Sequence, residues 1–255
     1  VNTVQYTNHT GYCAREGDFY APDQIGRVLA GLAARGGLAD CDAVLSGYLG
    51  EAALGEQVLS AVAAVRRGRP QAVYCCDPVI GDIGRGFFVR PGVPEFMRDR
   101  ALPAADIVTP NHFELEALTG AVVRTLDDAL AATAALRRRG PSVVLVTSLA
   151  REGAADDEIE MLADGPDGAF LIATPRAPFD APPNGGGDLT AALFLAHWLE
   201  GGDVAQALAA TAAAVHHVFA ETARRGAREL QIIAGQDAYV SPARPFAPRR
   251  VRPAL

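Results

Sequence analysis

The stretch Gln71-Ala72-Val73-Tyr74-Cys75-Cys76-Asp77-Pro78-Val79-Ile80-Gly81-Asp82 runs from a short apolar strand directly into a loop carrying two acids. A continuous apolar run of this length fits a strand buried on both faces, as in parallel sheets. Pro78 helps end it, because proline has no N–H to give to a ladder. Toward the amino end, Ala43-Val44-Leu45-Ser46 has the same character, and Gly55 to Val65 between them reads as a helix. Farther back, Asp23 to Ala34 sets Ile25, Val28, Leu29 and Leu32 on one helical face, and Gly36-Gly37 stops it. The chain opens on the β-like run Val1 to Tyr6, followed by a loop rich in Asn, His, Thr and Gly.

Toward the carboxyl end the alternation continues. Asp106-Ile107-Val108 predicts a strand, His112 to Leu118 and Leu126 to Arg138 predict helices, and Ser142 to Thr147 is the most strongly β-branched strand of the chain. An antiparallel pair, Glu158 to Leu162 and Gly168 to Ala173, is expected around Asp164-Gly165-Pro166-Asp167. Helices from Leu189 to Leu199 and Val204 to Thr222 follow. Strands separated by helices and short loops predict an α/β fold, a mainly parallel central sheet with helices on both faces in three layers. Residues 1–255 are expected to form a single domain, with 241–255 as a proline-rich extended tail.

Composition narrows the function. Apolar residues make up 49% of the chain and charged residues 21%, enough for a sizeable core. A net charge of −7 disfavours nucleic acid or an acidic membrane as partner, since either needs a basic surface. The tail arginines Arg244, Arg249, Arg250 and Arg252 are expected to be a solvated end. Four irregularly spaced cysteines, Cys13, Cys41, Cys75 and Cys76, give neither a disulfide framework nor a zinc pair, and fit reduced thiols in the cytoplasm. No apolar stretch reaches membrane-spanning length.

Ligands of parallel α/β sheets sit beyond the strands' carboxyl ends, which directs attention to the strand exits. Asn184-Gly185-Gly186-Gly187-Asp188 enters an apolar helix, so its free backbone N–H groups can face an anion with the helix dipole behind them. Asp188 could accept a proton from an attacking hydroxyl, or merely cap the helix. Asp77 and Asp82 could hold a hydrated magnesium ion, though Asp77-Pro78 also serves as a strand-ending turn. Thr109-Pro110-Asn111-His112-Phe113-Glu114 follows another strand, with Asn111 and Glu114 on the first helical turn. Three such exits in one sheet point to a phosphate and metal site. His9 reads as a loop histidine, with Thr10 and Tyr48 the better substrate contacts. His216 and His217 read as packing or exposed residues, and Cys75-Cys76 as buried strand.

On these residues the chain resembles the pyridoxal kinases of the ribokinase-like superfamily. Asn2 to Tyr12 is similar to that family's segment over the pyridoxal ring, and Ser46-Gly47-Tyr48-Leu49-Gly50 to its second substrate loop. The resemblance implies substrate contacts from Thr10, Tyr48 and Asp188. It implies ATP or magnesium roles for Asp77, Asp82, Thr109 and Glu114, with Thr147 and Ser148 reaching the nucleotide. Gly185, Gly186, Gly187 and Asp188 stand where the family has Gly-Thr-Gly-Asp, so a threonine hydroxyl is lost at Gly186; Thr190 stands where phenylalanine is usual. Family members carry a further βα unit before the Asn-Thr-Val-Gln stretch, so a shortened front with bare apolar surface is expected. The implied activity is ATP-dependent phosphorylation of the 5′-hydroxyl of pyridoxal, in a cytoplasmic homodimer. The alternatives are a hydroxymethylpyrimidine kinase of the same fold and a non-catalytic vitamer-binding protein.

Overall fold

The computed structural model describes every residue except Thr10, Cys13, Ala243, Arg244 and Leu255. The expected contact from Thr10 therefore lies outside the described residues, as do Cys13 and Arg244.

The described elements follow the expected alternation and add to it. β1 (Val4–Tyr6) and β2 (Gly17–Phe19) form a separate antiparallel ribbon. Then come α1 (Pro22–Ala34), β3 (Ala43–Ser46), α2 (Ala52–Gly68) and β4 (Val73–Cys76). A hairpin of β5 (Gly81–Asp82) and β6 (Gly86–Phe87) precedes α3 (Val93–Phe96), which runs through a π-helical turn into α4 (Leu102–Ala104). β7 (Ile107–Val108), α5 (His112–Thr119), α6 (Leu126–Arg137) and β8 (Val143–Leu149) follow. The chain finishes with β9 (Glu158–Gly165), β10 (Gly168–Pro175), α7 (Gly186–Gly201), α8 (Val204–Arg224) and β11 (Arg249–Arg252).

Seven strands build the central sheet in the order β11-β10-β9-β8-β7-β4-β3. It is mixed. β3, β4, β7 and β8 are parallel, as expected, whereas β8 to β11 pair antiparallel. The reason is connection length: residues 150–157 are too few for the crossover that a parallel partner of β8 would need. Side chains alternate between two cores. Tyr74 and Cys76 join Leu54, Val62, Leu115 and Leu136 from α2, α5 and α6. Val73 and Cys75 join Phe194, Leu195 and Leu208 from α7 and α8. Helices thus cover both faces. Among the described residues no helix is long and apolar enough to cross a membrane.

The two ends of the sheet differ. At one, residues 249–252 are not merely an extended tail but a paired edge strand. Nor are their arginines simply solvated: Arg250 lies over the Phe170 ring at 4.9 Å, and Arg252 reaches the fully buried Asp164. Asp164 also accepts from Thr133 Oγ1 at 2.7 Å and Arg137 Nη1 at 2.9 Å. A buried carboxylate needs such partners, and this one draws the basic tail onto the sheet. At the other end β3 is the last strand, bordered by a cleft of about 310 Å³ lined by Leu29, Leu38, Val44, Leu45 and Val58. Leu45 stays 41% exposed although it lies in a strand.

Candidate active site

Because β3, β4, β7 and β8 run in the same direction, their carboxyl ends deliver Ser46, Cys76, Val108 and the Thr147-Ser148 pair to one edge of the sheet. The amino end of α7 arrives at that edge. A side-chain carbon placed on Gly47 would stand 3.5 Å from Asp188 Oδ1, so the segment after β3 and the acid of the glycine loop face each other. Tyr48, half-buried, is held by its own carbonyl, which accepts from Thr3 Oγ1 at 3.0 Å.

The glycine loop has a defined shape. Gly185 is the N-cap residue of α7 with φ of 90°, a left-handed conformation that glycine takes without strain. No side chain caps this helix, so Asp188 is not the cap that one sequence alternative allowed. A side chain on Gly187 would meet nothing within 4 Å, which leaves that part of the helix mouth open. Gly186 is different: a Cβ there would lie 2.7 Å from Phe219 Cζ, so the α8 phenylalanine occupies the threonine's space. Thr190 Oγ1 donates to Gly186 O at 2.7 Å, tying down the first turn.

The acidic exits are tightly organised. Asn111 and Glu114 form a capping box on α5: Asn111 Oδ1 accepts from Glu114 N, and Glu114 Oε2 accepts from Asn111 N, both at 2.9 Å. Glu114 Oε1 accepts from Ile80 N at 3.0 Å, and Asn111 Nδ2 donates to Gly81 O at 2.8 Å. Glu114 and Asn111 therefore lock the loop after β4 to the loop after β7. Asn-x-x-Glu spacing signals the capping box, but the bonds to Ile80 and Gly81 span the fold and carry no local signal. Asp77 is buried and accepts from Thr109 Oγ1 at 2.9 Å. Asp82 lies apart, exposed on the β5–β6 hairpin with Oδ1 accepting from Ile83 N. Among the described residues no three His, Cys, Asp or Glu side chains gather closely enough to share a metal ion.

Burial sets the electrostatics. It pushes Asp77 up to about 7, with the Asp188 charge adding to the rise. It pushes Glu114 up to about 8, with the Asp77 charge adding, against the backbone N–H donors that lower it. Asp188 is also raised by partial burial. Three acids that resist ionisation at one strand edge mark a place suited to a cation or to proton transfer. Thr147 and Ser148 sit at an irregularity in the β8–β9 register, Thr147 N donates to Pro110 O at 2.9 Å, and Ser148 has a positive φ of 51°. Non-glycine residues in that region concentrate at functional sites.

A family model described as phosphomethylpyrimidine kinase matches residues 36–232. Pyridoxal kinase PdxY of Rubrobacter xylanophilus is 54% identical over 252 residues, covering 98% of this chain and 86% of that protein. Pyridoxal kinase PdxY of Deinococcus radiodurans is 49% identical over 255 residues, with 98% and 86% covered. Among solved structures, pyridoxal kinase from Leishmania donovani in complex with ADP and pyridoxamine matches with a TM-score of 0.87 at 27% identity, over 98% of this chain and 88% of that one. With such identity over nearly the whole chain, the chain belongs to the pyridoxal kinase family, ribokinase-like in fold.

Proposed function

We propose that this chain transfers the γ-phosphoryl group of ATP to the 5′-hydroxyl of pyridoxal or a related vitamer, giving pyridoxal 5′-phosphate and ADP. The observation that carries the proposal is the approach of Asp188 to Gly47, which sets a carboxylate against the segment after β3 at the mouth of a glycine loop. Asp188 takes the hydroxyl proton as that oxygen attacks the γ-phosphorus and the bond to the ADP oxygen breaks. N–H groups of Gly185 to Gly187 stabilise the charge that develops on the phosphoryl oxygens. Tyr48 and Thr10 contact the vitamer; Thr109, Thr147 and Ser148 serve the nucleotide. ADP accompanies pyridoxamine in the Leishmania enzyme, and the curated relatives carry the name pyridoxal kinase.

Magnesium fits the donor set. The ion keeps most of its water and needs only one or two carboxylates besides the phosphates, so Asp77 and Glu114 suffice without Asp82, which lies apart on the β5–β6 hairpin. When bound it would neutralise phosphate charge. Its effect should be visible in stability. A carboxyl whose folded pKa is raised stabilises the fold fully below its unfolded value, about 4. That contribution is lost as pH rises through the folded value. The metal-free chain should therefore lose stability between roughly pH 4 and pH 8 through Asp77 and Glu114. Millimolar magnesium should raise the melting temperature about 2–4 °C more at pH 8 than at pH 5. Equal shifts at both values would argue against these two ligands.

Turnover is the direct test. ATP with pyridoxal, pyridoxine or hydroxymethylpyrimidine, assayed side by side, should give the fastest ADP release with a B6 vitamer. Preference for hydroxymethylpyrimidine would favour a pyrimidine kinase of the same fold. Vitamer binding without ADP release would refute the kinase.

A further inference from the structure

Outside the strand exits, a polar cluster joins the beginning of the chain to a segment more than 200 residues later. Glu229 Oε1 accepts from Tyr12 Oη at 2.5 Å and lies 3.0 Å from His9 Nε2. Gly11 N donates to His9 Nδ1 at 3.0 Å, so Nδ1 is the acceptor and Nε2 carries the hydrogen that Glu229 receives. Next to Glu229, Arg228 stacks over the Tyr12 ring at 3.9 Å and donates to Gly11 O. The His9 and Tyr12 rings lie 4.9 Å apart.

This cluster rests on a firm base and borders the glycine loop. Gln231 N donates at 3.0 Å to the hydroxyl of Thr222, a fully buried residue of α8, and Gln231 Nε2 donates to Glu229 O. Leu230 Cδ1 would stand 3.6 Å from a side-chain carbon on Gly185, and Asn184 Nδ2 would touch one on Gly11. Gly11, beside His9 and Tyr12, therefore abuts the start of the glycine loop. His9 is 29% and Glu229 52% exposed, so these bonds compete with water and individually contribute little. Contacts of that kind can release on every turnover, as a cover over a phosphoryl-transfer site must.

We propose that Glu229 is a positioning residue whose carboxylate latches the His9–Tyr12 loop against the glycine loop, holding the vitamer side of the site closed. The proposal rests on the kinase reading for its purpose and on contacts independent of that reading for its geometry. The role assigned to Glu229 requires no bond to substrate.

The test compares Glu229→Ala, Glu229→Gln and Glu229→Asp with the parent chain, using hydrogen exchange of residues 7–16 and steady-state kinetics. Glu229→Ala is expected to speed exchange in that segment and to raise KM for pyridoxal about tenfold, the loss of charged hydrogen bonds worth one decade. KM for ATP should stay within about twofold and kcat within about threefold, since only vitamer-side closure changes. Glu229→Asp should recover part of both effects and Glu229→Gln should lie between. Unchanged exchange in residues 7–16, or equal rises in both KM values, would overturn the latch. If the parent chain exchanges normally but shows no turnover, the kinase reading fails while exchange alone decides the latch.

Discussion

Asp188→Asn is expected to bind pyridoxal and ATP much as the parent chain does and to turn over roughly 10²–10⁴-fold more slowly. The substitution keeps the shape of the side chain and removes its ability to accept the hydroxyl proton. The helix is not disturbed, because α7 is capped through Gly185 and takes no side-chain cap. Partial burial already raises the Asp188 pKa, so a neutral amide relieves a desolvated charge and the melting temperature should hold or rise. Initial rates of pyridoxal 5′-phosphate formation at saturating substrates, with direct titration of both ligands, separate the base from a binding role. A rate within tenfold of the parent chain would remove Asp188 as base. A matching loss of vitamer affinity would make it a binding residue instead.

The candidate site was legible in the sequence where its geometry is encoded locally, and obscure where it depends on contacts across the fold. Strand-exit residues such as Asp77 and Thr109 declare themselves because an apolar run must end before a polar loop begins. Asn111 and Glu114 carry a capping-box spacing readable without coordinates, and the structure contains that box. Asp82 looks equivalent to Asp77 in sequence, yet it falls on a two-residue strand of an exposed hairpin while Asp77 is buried. Arg249 to Arg252 looks like a solvated tail because its anchor, Asp164, lies 88 residues from Arg252. Glu229 stands in a family-like run, Glu229 to Ala234, but its contact with Tyr12 carries no local signal, the two being separated by 217 residues. The antiparallel half of the sheet escaped in part because apolar strands such as β8 look alike whichever way their partners run.

The departure at Gly186 yields the second large effect. Restoring the family's threonine with Gly186→Thr should harm this chain, because Phe219 now fills the space. A Cβ at that position would stand 2.7 Å from Phe219 Cζ and 3.3 Å from Cε2. The ring is not free to leave, since it packs edge-on against Phe179 at 6.0 Å between centroids. Overpacking of this kind costs about 1–3 kcal/mol of stability. A shift of about 1 Å in the amides of the glycine loop can lower turnover by up to about 10²-fold. Trimming the obstacle in Gly186→Thr/Phe219→Leu should restore most of the activity, while Phe219→Leu alone should loosen the loop and cost less than Gly186→Thr. The cycle of four proteins, measured for kcat and for urea unfolding, should show strong coupling between two residues that touch. Additive effects would mean that Phe219 moves aside freely and that this loop tolerates either residue. Strong coupling would mean that the chain has exchanged a hydroxyl contact for a packed aromatic wall, leaving the phosphate cradle to backbone amides.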